Sequence, residues 1–139
     1  MSLAQLSVII PCYRCSDTIA RAVASVGAQT MKATELILVD DCSGDSTLET
    51  LRAIQRAYGK KWIKIISPDE NKGCGGARNI GWSIATQPYV AFLDADDAWG
   101  PRKIEIQYSW MKKHPDVLYT GHPASVLDGD NKEPTDIIG

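Results

Sequence analysis

The chain has 139 residues, 44% hydrophobic and 23% charged, with 15 Lys and Arg against 17 Asp and Glu for a formal net charge of -2. That balance is typical of one soluble globular domain and excludes a disordered or fibrous protein. The basic residues are scattered and form no stripe, so nucleic acid is not expected as a partner.

Leu6-Ser7-Val8-Ile9-Ile10 is a β-branched apolar run stopped by Pro11, and Ile19, Val23 and Val26 then recur at helical spacing. The pattern repeats in Glu35-Leu36-Ile37-Leu38-Val39, followed by a helix marked by Leu48, Leu51, Ile54 and Tyr58. A third strand is expected over Trp62–Ile66. After it, a glycine-rich turn at Gly73 to Gly76 leads into a helix carrying Ala77, Ile80, Ile84 and Ala85. Tyr89-Val90-Ala91-Phe92-Leu93 reads as a fourth strand. Pro101 then opens a helix to about Lys113, and a further strand is expected around Val117 to Thr120. Asp128-Gly129-Asp130 reads as a turn, and the closing run Asp136-Ile137-Ile138-Gly139 stops so abruptly that a truncated chain is expected.

Continuously apolar strands separated by helix-length segments predict an α/β fold: a doubly wound, mainly parallel sheet with helices on both faces, in a single domain over residues 1–139. Ligands of such sheets bind beyond the carboxyl ends of the strands, so the strand-end loops are the places to look for chemistry.

No stretch approaches the roughly 20 apolar residues of a membrane-spanning helix, and the polar start lacks the regions of a signal peptide. A cytoplasmic location follows, with membrane association reserved for a longer protein. Cys12, Cys15, Cys42 and Cys74 are too few and too irregular for a disulfide scaffold and read as free thiols. Cys12 and Cys15 form a Cys-x-x-Cys, but no second pair accompanies them to complete a zinc site.

The strongest local signal is Leu93-Asp94-Ala95-Asp96-Asp97, three carboxylates packed after a buried strand. Their mutual repulsion is relieved by a divalent cation, and hard oxygen ligands suit Mg2+ or Mn2+. The rival reading has Asp96 or Asp97 capping the next helix. At the end of the second strand, Asp40 or Asp41 is placed to accept from a nucleobase or ribose, while Asp45 and Ser46 suit helix capping. Arg78, one turn into the helix after the glycines, and the backbone NH groups at that helix start can meet diphosphate oxygens. The glycine run lacks the Gly-Lys-Ser/Thr ending of a P-loop. Tyr13 offers a ring for stacking on a base, beside a loop fixed by Pro11.

Together these segments resemble glycosyltransferase family 2, the inverting nucleotide-sugar glycosyltransferases of GT-A fold. Ser7-Val8-Ile9-Ile10-Pro11-Cys12-Tyr13, Gln29-Thr30, Val39 to Thr47, Asn71-Lys72-Gly73, Ala77-Arg78-Asn79-Ile80-Gly81 and Phe92 to Asp97 match in order, within a span from Leu6 to Lys113. The resemblance implies that Pro11 and Tyr13 line the base pocket, that Asp41 or Asp40 holds the base, and that Arg78 approaches the diphosphate. Asp94 and Asp96 form the DxD-type motif, which in the family contacts ribose and, through Mn2+ or Mg2+, the diphosphate. Asp96 is the first choice as direct metal ligand.

The implied donor is a nucleotide-diphosphate sugar, first a UDP-sugar, then a GDP- or TDP-sugar. The implied acceptor is a hydroxyl of a glycan or lipid-linked glycan. Arg14 departs from the Asn that many members carry. The acidic general base of the family has no matching motif here: Asp116, Asp128, Asp130 and Asp136 are available carboxylates, and none is nominated. The alternatives are a nucleotide-sugar-binding module without catalysis and a sugar nucleotidyltransferase. The latter's glycine-rich basic loop does not resemble Cys12-Tyr13-Arg14-Cys15.

Overall fold

The structure is a computed structural model that describes residues 3–118 and 120. Among the described residues four strands and four helices alternate: β1 (Leu3–Cys12), α1 (Ile19–Gly27), β2 (Lys32–Asp40), α2 (Thr47–Tyr58), β3 (Ile63–Ile66), α3 (Gly73–Ile84), β4 (Tyr89–Phe92) and α4 (Lys103–Lys113). The sheet order is β3-β2-β1-β4 and every pairing is parallel. The expected doubly wound α/β sheet is therefore present.

Alternation along the strands sorts the core onto two faces, because successive side chains of a strand point to opposite sides of the sheet. Val8, Ile10, Leu36, Leu38 and Ile63 meet Ile19, Val23 and Val26 of α1, Leu51 of α2 and Ile104 of α4. Ile9, Ile37 and Val39 meet Ala77 of α3, with Ile80 and Ile84 packed beside it. α3 comes close to the sheet: a Cβ on Gly81 would stand 2.5 Å from Ile9 Cγ2, so only glycine fits there. After β3 the chain crosses to the other face and returns beside β1. The switch point of the topology thus lies between the carboxyl ends of β1 and β4, where an open α/β sheet leaves a crevice.

Several element boundaries differ from the sequence reading. The glycine run is the first turn of α3 itself, and its opening residue Gly73 takes φ +75. Pro101 lies just outside α4 rather than in its first turn, since the helix starts at Lys103 with Arg102 at its N-cap. Val117, Leu118 and Thr120 are not in a strand, and Leu118 is almost fully exposed beyond the Pro115-Asp116 turn. Tyr119, the Asp128–Asp130 turn and Asp136–Gly139 lie outside the described residues.

A buried polar knot holds the end of the sheet away from the crevice. Glu35 accepts from Ser7 Oγ at 2.6 Å, from the Thr86 backbone NH at 2.7 Å and from Lys64 Nζ at 2.5 Å. Ser7 Oγ in turn accepts from the Gln87 NH at 3.2 Å. Five polar groups from β1, β2, β3 and the α3–β4 link satisfy one another, which is the condition under which polar groups can be buried.

Candidate functional site

The loops at the carboxyl ends of β1 and β2 are tied together through the backbone. Asp41 NH donates to Cys12 O at 2.8 Å, Arg14 NH donates to Ser43 Oγ at 2.9 Å, and Cys15 NH donates to Thr47 Oγ1 at 3.2 Å. Arg14 has φ 48, a left-handed backbone that Asn adopts more readily than Arg. Its guanidinium carbon sits 5.2 Å from the Tyr13 ring centroid, and its Nε donates to Ser43 O, so the side chain folds back over its own loop. Tyr13 itself is about half exposed at the rim of the crevice.

The two aspartates of the β2 end are both buried but differ in their work. Asp40 Oδ1 accepts from Ser43 Oγ at 2.6 Å and from Ser43 NH at 3.3 Å, closing the turn that follows the strand. Asp41 Oδ1 accepts from Lys72 NH at 2.7 Å, and Asn71 Nδ2 reaches Asp41 O at 3.0 Å, so this residue anchors the loop leading into α3. Capping falls to Asp45, whose Oδ1 accepts from Thr47 NH at 2.9 Å. Ser46 makes no side-chain cap bond.

At the end of β4 the chain turns so that Asp97 NH donates to Asp94 O at 3.0 Å. This turn brings carboxylate oxygens of Asp94, Asp96 and Asp97 within 4.8 Å of one another. The capping reading fails on geometry: α4 begins at Lys103, beyond these residues, and its N-cap is Arg102 rather than an aspartate. Loss of hydration, then the charges of Asp96 and Asp94, raise the pKa of Asp97 against a smaller opposing effect of Arg21. A divalent cation would reverse the effect of those neighbouring charges. Three hard, exposed oxygen donors fit Mg2+ or Mn2+, which take few protein carboxylates and leave room for phosphate. Asp97 thus joins the expected pair, Asp94 and Asp96. Among the described residues, no other group of three His, Cys, Asp or Glu side chains is arranged to hold an ion.

Two arginines flank the acidic turn. Arg21 Nη2 donates to the Asp96 carbonyl at 2.6 Å, and Arg78 Nη2 pairs with Asp94 Oδ1 at 2.8 Å. The ion pair links α3 to the β4 end.

Gln29 was matched in sequence without a role, and the structure supplies one. It is buried, its Nε2 donates to Gly100 O at 2.6 Å, and its Oε1 accepts from Ile104 NH at 2.9 Å. The side chain caps α4 from a distance and so fixes the segment that carries the acidic turn. Thr30 adds a bond from Oγ1 to Glu105 at 2.8 Å.

Cys12 and Cys15 are buried free thiols; Cys12 Sγ donates to Ile10 O at 3.3 Å, and the neighbouring Cys15 thiol, then burial, raises the pKa of Cys12, while the Cys12 thiol lowers that of Cys15. No further ligand joins them, and the half-zinc alternative finds no support among the described residues. A cavity of about 940 Å³ lies elsewhere, along the outer edge of β4 between Trp82, Phe92, Tyr108 and Lys103. Burial lowers the Lys103 pKa to about 8. That cavity has no carboxylate cluster and an apolar wall, so it does not suit a metal diphosphate.

The model of glycosyl transferase family 2 matches residues 7–138 of the chain. The chain belongs to this family. It is 40% identical over 107 residues to WfaP of Escherichia coli, a UDP-Glc:alpha-D-GlcNAc-diphosphoundecaprenol beta-1,3-glucosyltransferase, covering 77% of this chain and 41% of that protein. Staphylococcus aureus TarS 1-349, solved in complex with UDP-GlcNAc, superposes with a TM-score of 0.70 at 26% identity, over 92% of this chain and 38% of that one. The mannosyltransferase PcManGT of Pyrobaculum calidifontis, solved with GDP-Man and Mn2+, shares the fold with a TM-score of 0.68 at 24% identity, over 78% of this chain and 32% of its own. The family member described here thus has the GT-A sheet and spans less than half the length of each of these relatives. Among its described residues no helix is long and apolar enough to cross a membrane.

Proposed function

We propose that this family 2 domain binds a nucleotide-diphosphate sugar through a divalent cation and serves transfer of the sugar, with inversion, to a hydroxyl of a glycan or lipid-linked glycan. The observation that carries the reading is the convergence of Asp94, Asp96 and Asp97 with Arg78 at the crevice between β1 and β4. Pro11 and Tyr13 form the wall for the base. Asp41 is preferred over Asp40 as the base or ribose acceptor, because Asp40 already takes two bonds from Ser43.

Bound Mn2+ or Mg2+ supplies Lewis-acid stabilisation of the negative charge on the departing nucleoside diphosphate. Asp96, with Asp94 and Asp97, holds that ion. Arg78 presents a guanidinium to the same charge, and the buried loop bonds of Asp41 hold the α3 end in place for it. WfaP, whose name carries UDP-Glc, and TarS, solved with UDP-GlcNAc, favour a UDP-sugar over a GDP- or TDP-sugar. A cytoplasmic site for the reaction accords with use of such donors.

Thermal unfolding measured with UDP, GDP, CDP and TDP, each with Mn2+ and with EDTA, tests the reading, since a ligand of the folded state raises the transition. UDP with Mn2+ should give the largest rise, by several degrees at a hundredfold excess over Kd. A panel in which no nucleotide gives a metal-dependent rise refutes donor binding.

A further inference from the structure

We infer that Arg78 is a competing occupant of the cation site, holding Asp94 until a nucleotide diphosphate draws the guanidinium away. The inference rests on the donor site proposed above. Asp94 is one of the three carboxylates that can share an ion, and the guanidinium contacts one of its oxygens at 2.8 Å. A cation ligated by Asp94 must therefore displace or share with a positive group already there.

The pair is built to be exchanged. It is formed by Nη2 alone, while Arg78 Nε is buried with no hydrogen-bond partner, so the guanidinium is held by one tooth of its fork. A diphosphate offers several oxygens in an arrangement that a guanidinium can meet with two parallel bonds. The side chains of Arg78 and Asp94 are 39% and 50% exposed, and ion pairs in such settings are weak enough to break on binding. Nucleotide that engages Arg78 releases Asp94 to the metal, and metal on Asp94 releases Arg78 to the nucleotide. Linkage makes the two effects equal.

Free Mn2+ measured by electron paramagnetic resonance, titrated into the full chain without nucleotide, separates this from a structural role for the arginine. Arg78→Gln and Arg78→Met should each bind Mn2+ about fivefold more tightly than the unaltered chain, the order expected of a modest coupling between sites. At saturating Mn2+ both variants should bind UDP more weakly. Arg21→Gln is the control, since it removes a positive charge near Asp97 but bonds only the Asp96 carbonyl. It should change Mn2+ affinity less than about twofold, as expected of a screened surface charge.

Unchanged or weaker Mn2+ binding in the Arg78 variants, or equal tightening by Arg21→Gln, overturns the inference. Failure of the donor-site reading has a different signature: the unaltered chain then binds no UDP at saturating Mn2+.

Discussion

Asp96→Ala is expected to abolish the metal-dependent part of nucleotide binding while leaving the fold intact. Asp96 is exposed, and its backbone carbonyl, which holds Arg21, survives the substitution, so little native structure depends on its carboxylate. The ion, by contrast, would lose one of three donors in a site that depends on paired hard oxygens. At a ligand concentration of a hundred times Kd, binding contributes about 2.7 kcal/mol of apparent stability, and this increment should vanish. Denaturant melts with UDP and Mn2+ measure it directly. Retention of the full increment in Asp96→Ala would place the nucleotide away from the acidic turn.

Glu35→Ala should cause the largest loss of stability, about 3 kcal/mol, the lower end expected when one partner of a buried charged network is removed. Alanine leaves Ser7 Oγ and the Thr86 NH without their acceptor. Lys64 is substantially exposed and can return to water, which keeps the cost from being higher.

The same carboxylate sets an acid sensitivity. Burial alone would raise its pKa, but hydrogen bonds from Lys64, Ser7 and Thr86 outweigh burial and bring it from 4.5 to about 2. A carboxylate with a depressed folded pKa binds its proton more weakly in the folded chain than in the unfolded one. Its contribution is therefore complete above pH 4.5 and is lost as pH falls toward 2. Urea denaturation at pH 7 and pH 3 should show a difference between the unaltered chain and Glu35→Gln that shrinks at the lower pH. A constant difference contradicts this role for the charge.

The parts of the molecule that were legible in sequence are those governed by local pattern. Apolar runs such as Ile9-Ile10 and Leu36-Ile37-Leu38 announced buried parallel strands. The helical spacing of Ile19, Val23 and Val26 announced the face that α1 buries. The acidic turn was legible because three adjacent carboxylates need an explanation wherever they occur.

Other features depend on contacts between distant segments and leave no local trace. Gln29 caps a helix that begins more than seventy positions later, and its pattern in sequence is that of any polar residue after a helix. Glu35 reads as the polar start of a strand, whereas its partners come from β1, β3 and the α3–β4 link. The glycine run was misread as a turn because glycine propensity favours loops. Packing later in the helix overrides it, since Ala77, Ile80 and Ile84 of α3 pack against Ile9, Ile37 and Val39 of the sheet. The end of β2 shows a further limit: sequence offered Asp40 or Asp41, and only their bonds distinguish them, Asp40 to Ser43 and Asp41 to the Asn71-Lys72 loop.

The central claim is that the acidic turn beyond β4 holds a nucleotide diphosphate through a divalent ion. Anomalous diffraction at the manganese edge, from crystals grown with UDP and Mn2+, tests it most directly. The account predicts a single strong peak about 2.2 Å from a carboxylate oxygen of Asp96, with the diphosphate as a further ligand and the uracil beside Tyr13. UDP bound in the cavity along the outer edge of β4, or bound at the crevice with no manganese near Asp94, Asp96 or Asp97, would contradict it.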